Sequence, residues 1–130
     1  MNGKCLLDTN IIISLFKNEK EIVEKIKSFA RVFISVTVIG ELFYGAFKSQ
    51  QIEKNLENIA ALLSGSDILK IDNNIAREYG EIKAILKKKG KPIPENDIWV
   101  AAAAKRHDLT LISKDAHFNE VDELDFSLIA

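Results

Sequence analysis

Four acidic residues lie where short apolar segments end or where a helical pattern begins. Asp8 directly follows Leu7 at the end of an apolar run, and Glu41 lies in the first turns of the helix predicted after the second strand. Asp97 opens an alanine-rich helical segment, and Asp115 comes just past the fourth predicted strand. Ligand sites in open parallel sheets form at the carboxyl ends of strands, so we expect these four carboxylates to converge on one crevice.

A cluster of carboxylates requires a cation, because like charges within a few ångströms repel and raise one another's pKa. Carboxylate oxygens are hard ligands, and neither His107 nor His117 has a spacing that would complete a zinc site with the single cysteine. The residue types therefore predict Mg²⁺ or Mn²⁺ rather than Zn²⁺ or copper. Thr9 and Asn10 add a hydroxyl and an amide beside Asp8, and we expect them to orient it or to hold a metal-bound water.

Short apolar runs alternate with longer segments of helical period, a pattern typical of parallel strands joined by crossover helices. The predicted fold class is therefore α/β. The strand candidates are Lys4 to Leu7, Val32 to Val36, Ile68 to Ile71, Leu109 to Ile112 and Phe126 to Ile129. The helix candidates contain Ile11 to Phe16, Ile22 to Phe29, Val38 to Phe47, Ile52 to Leu63, Ile75 to Leu86 and Asn96 to Ala104.

Capping residues predict where several of these helices start and stop. Gly65 and Gly90 are placed to end two consecutive helices, and Asn73 with Asn74 can cap the start of the second one. The stretch Pro92 to Pro94 predicts a rigid connector before the alanine-rich helix.

Length and composition indicate one compact domain over residues 1–130, with a helical excursion at about 48–90. The chain is 47% hydrophobic, and its 18 basic and 19 acidic residues give a formal charge of −1. It offers no signal-peptide core and no apolar run of membrane-spanning length. Cys5 stands alone in an apolar run, which favours a buried strand residue in a reducing cytoplasm over a nucleophile.

The acids belong to a recognisable set of short motifs that extends over nearly the whole chain. In order these are Leu7-Asp8-Thr9-Asn10, Ser35-Val36-Thr37 leading to Gly40-Glu41-Leu42 and Tyr44-Gly45-Ala46, Asn96-Asp97-Ile98 before the alanines, and Ser113-Lys114-Asp115 with His117-Phe118. With them the chain resembles the PIN-domain nucleases, specifically the VapC-like toxins of bacterial and archaeal toxin–antitoxin modules.

The resemblance implies a three-layer α/β/α fold whose central, mainly parallel sheet has four to five strands and an acidic crevice at the strand carboxyl ends. It also implies metal-dependent hydrolysis of RNA phosphodiester bonds. By the resemblance, the catalytic and metal-binding residues match Asp8, Glu41, Asp97 and Asp115. Asp8 and Asp97 are the expected primary ligands, and Glu41 is a ligand or the group that receives the proton of the attacking water. Asp115 would complete the site or hold a second metal, with Asn119 as a polar neighbour.

The expected partners follow from the same resemblance. They are an RNA substrate and a small VapB-like antitoxin that covers the acidic crevice with a basic side chain. A homodimer is expected through the helical pair from Ile52 to Leu86, and the cytoplasm is the expected compartment. If four of the 19 acids are assigned to one crevice, 15 acids and 18 basic residues remain, so the formal charge outside the crevice is +3. RNA binding is therefore expected to depend on a metal that neutralises the crevice.

Each residue also has a plainer interpretation. Asp8 and Asp97 could be helix caps, and Asp115 could be a solvated loop acid. His117, next to Phe118, is expected to pack and hydrogen-bond locally rather than to bind metal. The lysines from 87 to 91 favour a solvated helix end, with contact to RNA phosphate as the alternative.

Two other functions stay open on the sequence alone. A receiver-type phosphoacceptor domain has a similar size and acids at its strand ends. The sequences of such domains have adjacent acids after the first strand, whereas Thr9 follows Asp8 here. A catalytically inactive PIN-like binding module would keep the fold without needing the acids to converge.

Overall fold

The computed structural model describes residues 3–129, and within them five strands form one parallel sheet surrounded by six α-helices. No helix in this range is both long and apolar enough to span a membrane. The elements in chain order are β1 (Lys4–Leu7), α1 (Thr9–Phe16), α2 (Lys20–Lys27), β2 (Arg31–Ser35), α3 (Val36–Phe47), α4 (Ile52–Ser64), β3 (Asp67–Leu69), α5 (Asn73–Lys89), α6 (Glu95–Arg106), β4 (Thr110–Ser113), a short 3₁₀ helix (Ala116–Glu120) and β5 (Phe126–Leu128).

The strand order of the sheet is β3-β2-β1-β4-β5, and every neighbouring pair is parallel. The chain moves outward from β1 to β3 on one side and then returns to the centre as β4. The order therefore reverses between β1 and β4, and the two connections that leave their carboxyl ends run in opposite directions. Such a switch point opens a crevice where a ligand can bind. Asp8 and Asp115 follow these two strands.

The central strands are covered on both faces. Cys5, Leu6 and Leu7 are all fully buried, although consecutive strand residues point to opposite faces of a sheet. Helices supply this cover, and the four alanines Ala101–Ala104 of α6 are buried, which lets the α6 backbone come close to its neighbours. The three-layer α/β/α expectation and the buried Cys5 are confirmed, and burial raises the pKa of the Cys5 thiol to about 12.

Most helix ends match the capping residues, with one exception. Gly65 follows α4, and Gly90 ends α5 with φ at +71°, a left-handed conformation that glycine adopts without strain. The start of α5 differs from the prediction at Asn73 and Asn74. Asp72 is the N-cap, because its Oδ1 accepts a 2.9 Å hydrogen bond from the Ile75 backbone N–H. A carboxylate one residue earlier reaches this N–H, so the asparagines lie inside the first turn.

The two helices of the expected excursion do not form one pair. α4 packs mainly on α3, whereas α5 packs mainly on α6. The short edge strand β3 lies between them in sequence and pairs with β2. The expectation of a single helical-pair surface from Ile52 to Leu86 is therefore wrong as a description of the packing.

Candidate active site

A cavity of about 510 Å³ opens at the carboxyl ends of β1 and β4. Its wall contains the four acids that the sequence singled out, which are Asp8, Glu41, Asp97 and Asp115. The remaining lining residues are Thr9, Asn10, Ile13, Pro94, Glu95 and Asn96. The expected convergence of acids from four separate segments is therefore observed, while the catalytic role of each one stays a prediction.

Asp8 is a buried carboxylate held by several donors. Its side chain is 3% exposed, and Oδ2 accepts a 2.7 Å hydrogen bond from the Ser113 hydroxyl. Oδ1 accepts a 2.9 Å bond from the Thr9 backbone N–H at the start of α1, so Asp8 is also the N-cap of that helix. The cap interpretation is therefore correct for this residue, and its role in the site stays a prediction.

Asn10 ties the ends of β1 and β4 together. Its amide nitrogen donates to Asp115 Oδ2 at 3.1 Å and lies 3.4 Å from Asp8 Oδ2. Its amide oxygen accepts a 3.1 Å bond from the Lys114 backbone N–H. One side chain thereby sets the spacing between two carboxylates that are more than a hundred residues apart in sequence.

Glu41 reaches the cavity from α3. The Thr9 hydroxyl donates a 2.8 Å hydrogen bond to Glu41 Oε1 and so links the first turn of α1 to the second turn of α3. Besides its expected place next to Asp8, Thr9 therefore also contacts Glu41, and sequence spacing does not reveal this contact.

Asp97 meets the cavity with few donors around it. It lies in the first turn of α6, whose N-cap position is Pro94, so the interpretation of Asp97 as a helix cap is wrong. His117 Nε2 lies 2.8 Å from Asp97 Oδ2. Among residues 3–129, Nε2 nevertheless has no hydrogen-bond partner, so the pair meets the distance of a hydrogen bond but not its direction.

The crowding of carboxylates changes their acidity. Burial raises the pKa of Asp8, and the charges of Asp115 and Glu41 raise it further against the lowering effect of the Ser113 and Thr9 hydrogen bonds. Burial and then the charge of Asp8 raise the pKa of Asp97 to about 6, while His117 opposes this shift. Without a cation, the cavity therefore disfavours carrying all its charges at neutral pH.

Comparison with known proteins decides the family. The PIN domain family profile matches residues 5–124 of this chain. The chain is 40% identical over 114 residues to "Ribonuclease VapC2" of Haemophilus influenzae, a match that covers 86% of each protein. It is 34% identical over 114 residues to "tRNA(fMet)-specific endonuclease VapC" of Shigella flexneri, again with 86% of each covered. The chain belongs to the VapC ribonucleases of the PIN-domain family.

A solved structure from this family shares the architecture. The VapBC-1 structure from nontypeable Haemophilus influenzae superposes with a TM-score of 0.88 at 33% identity, over 96% of this chain and 97% of that one. The shared fold includes the all-parallel sheet described above, so the predicted PIN-like fold is confirmed.

The donor set of this VapC cavity fits the divalent cations that PIN nucleases use. The four acids at its wall offer hard oxygen ligands, and ligand atoms of Asp97, Asp115 and His117 all lie within 4.8 Å of one another. The raised pKa values of Asp8 and Asp97 are a further fit, because a cation would relieve the repulsion that causes part of the shift.

Two residues that contact the acids of the VapC cavity without lining it were not predicted in these positions from the sequence. Ser113 donates to Asp8 and accepts a 3.0 Å bond from the Asp115 backbone N–H. Its position at the end of a buried strand, between two acid-bearing edges, was the available signal. His117 was expected to pack locally, and it does contact Phe118, but its Nε2 also faces Asp97. Asn119, the proposed neighbour of Asp115, is exposed and forms no hydrogen bond with it.

Proposed function

We propose that this VapC-family protein is the toxin of a type II toxin–antitoxin pair, an endoribonuclease that hydrolyses RNA phosphodiester bonds with Mg²⁺ or Mn²⁺ held by Asp8, Glu41, Asp97 and Asp115. The observation that carries the proposal is the convergence of these four carboxylates on one cavity at the sheet switch point. Residues 1–130 act together as one PIN domain in the cytoplasm.

Divalent cations bound by these carboxylates would lower the pKa of the attacking water and neutralise charge on the leaving oxygen. The protein contributes a fixed arrangement of ligands. Ser113 and the Thr9 N–H hold both oxygens of Asp8, and Asn10 holds Asp115 beside it. A ligand whose rotamer is locked by such bonds needs no reorganisation when the cation or the phosphate arrives.

Glu41 is suited to receive the proton of the attacking water. The Thr9 hydroxyl donates to Oε1, which fixes the direction of the carboxylate and leaves Oε2 for a further contact. Neither histidine is needed for this step, because a carboxylate beside a cation can both bind and accept a proton.

The substrate class is RNA, and lysines near the cavity support it. A second groove of about 410 Å³ shares Thr9, Ile13 and Glu41 with the acidic cavity and also contains Lys17 and Lys54. Both lysines line this neighbouring groove, so they are placed to contact phosphates that flank a bond in the cavity. The lysine run after residue 86 is less suited to this role, because Lys89 already bonds the Glu120 carbonyl at 2.7 Å and Asp122 at 3.3 Å.

The expected partner is a VapB-like antitoxin. The chain matches the solved VapBC-1 structure over almost its full length. An acidic cavity open to solvent offers an antitoxin a site for an inserted basic side chain, which would take the place of the cation. A homodimer stays a prediction. Gel filtration that shows only a monomer at micromolar concentrations would remove it.

The two alternative functions are less consistent with the structure. Receiver domains have the strand order 2-1-3-4-5, whereas this sheet has the order 3-2-1-4-5. An inactive binding module has no need to keep four acids around one cavity, since their repulsion destabilises the fold.

The test is cleavage of a mixed RNA pool and of total tRNA by the purified chain. We expect cleavage with Mg²⁺ or Mn²⁺, no cleavage in EDTA, and restoration when metal is added in excess. The Asp97→Asn variant should be inactive, whereas Asp122→Asn, which changes an exposed aspartate outside the cavity, should cleave like the wild type. Cleavage that survives both EDTA and Asp97→Asn would overturn the proposal.

A further inference from the structure

His117 offers a ring nitrogen next to the cavity, whereas the four acids of the cavity offer carboxylate oxygens. It lies on the 3₁₀ helix Ala116–Glu120, two residues after Asp115, and its Nε2 is 2.8 Å from Asp97 Oδ2. The atom is buried, yet it has no hydrogen-bond partner among the described residues. A buried ring nitrogen without a partner is costly, so its orientation requires an explanation.

The imidazole ring is held in this orientation by the core. It contacts the ring of Phe118 with centroids 4.8 Å apart, and Phe118 is fully buried against Phe126. The ring therefore has a fixed support in the core. Nε2 consequently keeps its place beside Asp97 without a hydrogen bond of its own.

The distances between ligand atoms of Asp97, Asp115 and His117 match those of a metal site. One ligand atom from each of Asp97, Asp115 and His117 lies within 4.8 Å of the other two. Two ligands on opposite sides of a cation with bonds of about 2.1 Å are about 4.2 Å apart, so the three atoms need only small movements to share one ion.

We propose that His117 Nε2 is a ligand of the divalent cation, together with Asp97 and Asp115, and that this nitrogen makes the centre favour Mn²⁺ over Mg²⁺. The inference rests on the metal-dependent function proposed above and adds the identity of one ligand. Its chemical basis is that imidazole binds first-row transition metals well, whereas Mg²⁺ prefers oxygen and water. A purely carboxylate site would discriminate less between the two ions.

The chain offers a direct spectroscopic test, because it contains only two histidines. The second one, His107, is exposed at the opposite end of α6 from Asp97. A protein without a histidine tag should bind Mn²⁺ and show nitrogen coupling in pulsed electron paramagnetic resonance. The coupling should change when the histidines are labelled with ¹⁵N, a comparison that needs no variant.

Two variants assign the signal. His117→Gln should abolish the imidazole coupling and weaken Mn²⁺ binding about tenfold in calorimetry, with less than a threefold change for Mg²⁺. His107→Gln should preserve both coupling and affinity. A thermal midpoint close to that of the wild type establishes that His117→Gln is folded, and the isotope experiment on the wild type covers the case in which it is not.

The outcomes separate this inference from the proposed function. Mn²⁺ binding without nitrogen coupling, or coupling that persists in His117→Gln, overturns the role of His117 and leaves the carboxylate site in place. Absence of any Mn²⁺ or Mg²⁺ binding overturns both. Nitrogen coupling that is lost only in His117→Gln supports the inference.

Discussion

Asp8 and Asp97 face the same cavity, but the protein holds them in different ways. Asp8 is 3% exposed and accepts hydrogen bonds from the Thr9 N–H and the Ser113 hydroxyl. No described residue donates a hydrogen bond to the Asp97 carboxylate, and its close neighbour is a histidine nitrogen at 2.8 Å. The fold therefore supplies hydrogen bonds to Asp8, whereas the Asp97 carboxylate is left to interact with a group that enters the cavity.

The difference separates two tasks that a metal site must perform. In the proposed site, the β1–β4 edge would hold Asp8 in position before the cation binds, because the Thr9 N–H and the Ser113 hydroxyl fix both of its oxygens. The start of α6 holds a carboxylate without such donors. Burial and the charge of Asp8 raise the pKa of Asp97 to about 6, so its charged form is disfavoured until a positive charge arrives.

The largest expected effect comes from removing the carboxylate of Asp8. Asp8→Asn should lower kcat/KM for RNA cleavage by about a thousandfold or more, which corresponds to roughly 4 kcal/mol of transition-state stabilisation. The amide keeps an acceptor for Ser113, so the fold should survive, and circular dichroism can verify this. Activity within tenfold of the wild type would show that the buried edge is structural only.

The next effect concerns the stability of the metal-free protein as pH changes. Because the pKa of Asp97 is raised in the folded state, the folded protein binds more protons than the unfolded chain between about pH 4 and 6. The free energy of unfolding in EDTA should therefore fall as pH rises through this window. The loss should be at most about 3 kcal/mol, since one pKa unit is worth about 1.4 kcal/mol.

Asp97→Asn provides the matched variant for that pH series. It should reduce the slope and should be more stable than the wild type at pH 8 in EDTA, as measured by urea unfolding. Added Mn²⁺ should reverse the order, because only the wild type gains its full binding free energy. Equal slopes for the two proteins would contradict the raised pKa of Asp97.

A smaller effect is expected when the hydroxyl that donates a hydrogen bond to Asp8 is removed. Ser113→Ala removes a buried hydrogen bond to a charged group and should lower the free energy of unfolding by about 1.5–3 kcal/mol. Activity should fall about tenfold because Asp8 is no longer held in place. Ser127→Ala, in the adjacent strand β5, is the control and should change activity little. Similar losses in both variants would mean that the Ser113 contact is not specific.

The smallest effect is expected at a cavity-lining acid outside the cluster. Glu95 forms an exposed ion pair with Lys83 at 3.1 Å. Exposed pairs contribute about 0–1 kcal/mol, so Glu95→Gln should change stability by less than about 1 kcal/mol in urea unfolding. A larger loss would show that the wall near Pro94 depends on this pair.

The sequence predicted the convergence of the four acids better than the side-chain contacts that hold them. Each acid could be located because strands of a parallel sheet end at one edge, and that rule needs only the approximate end of each strand. Short apolar runs predict the five strands, whose bounds differ from the structure by at most two residues. The contacts between Thr9 and Glu41 or between His117 and Asp97 depend on side-chain directions across separate elements, which sequence spacing does not determine.

Local competition explains one error, and long-range packing explains the other. Asn73 and Asn74 are good N-cap residues, but Asp72 precedes them and its carboxylate reaches the Ile75 N–H first. The packing of α4 on α3 and of α5 on α6 depends on long-range contacts, and the amphipathic pattern of each helix reveals that it has a buried face but not which helix covers it.

A crystal structure of the protein soaked in Mn²⁺, with anomalous data collected near the manganese edge, tests the central claim most directly. We expect an anomalous peak in the cavity within about 2.5 Å of carboxylate oxygens from Asp97 and from at least one of Asp8, Glu41 and Asp115. A cavity without a peak, or a peak bound only by residues outside this set, would contradict it.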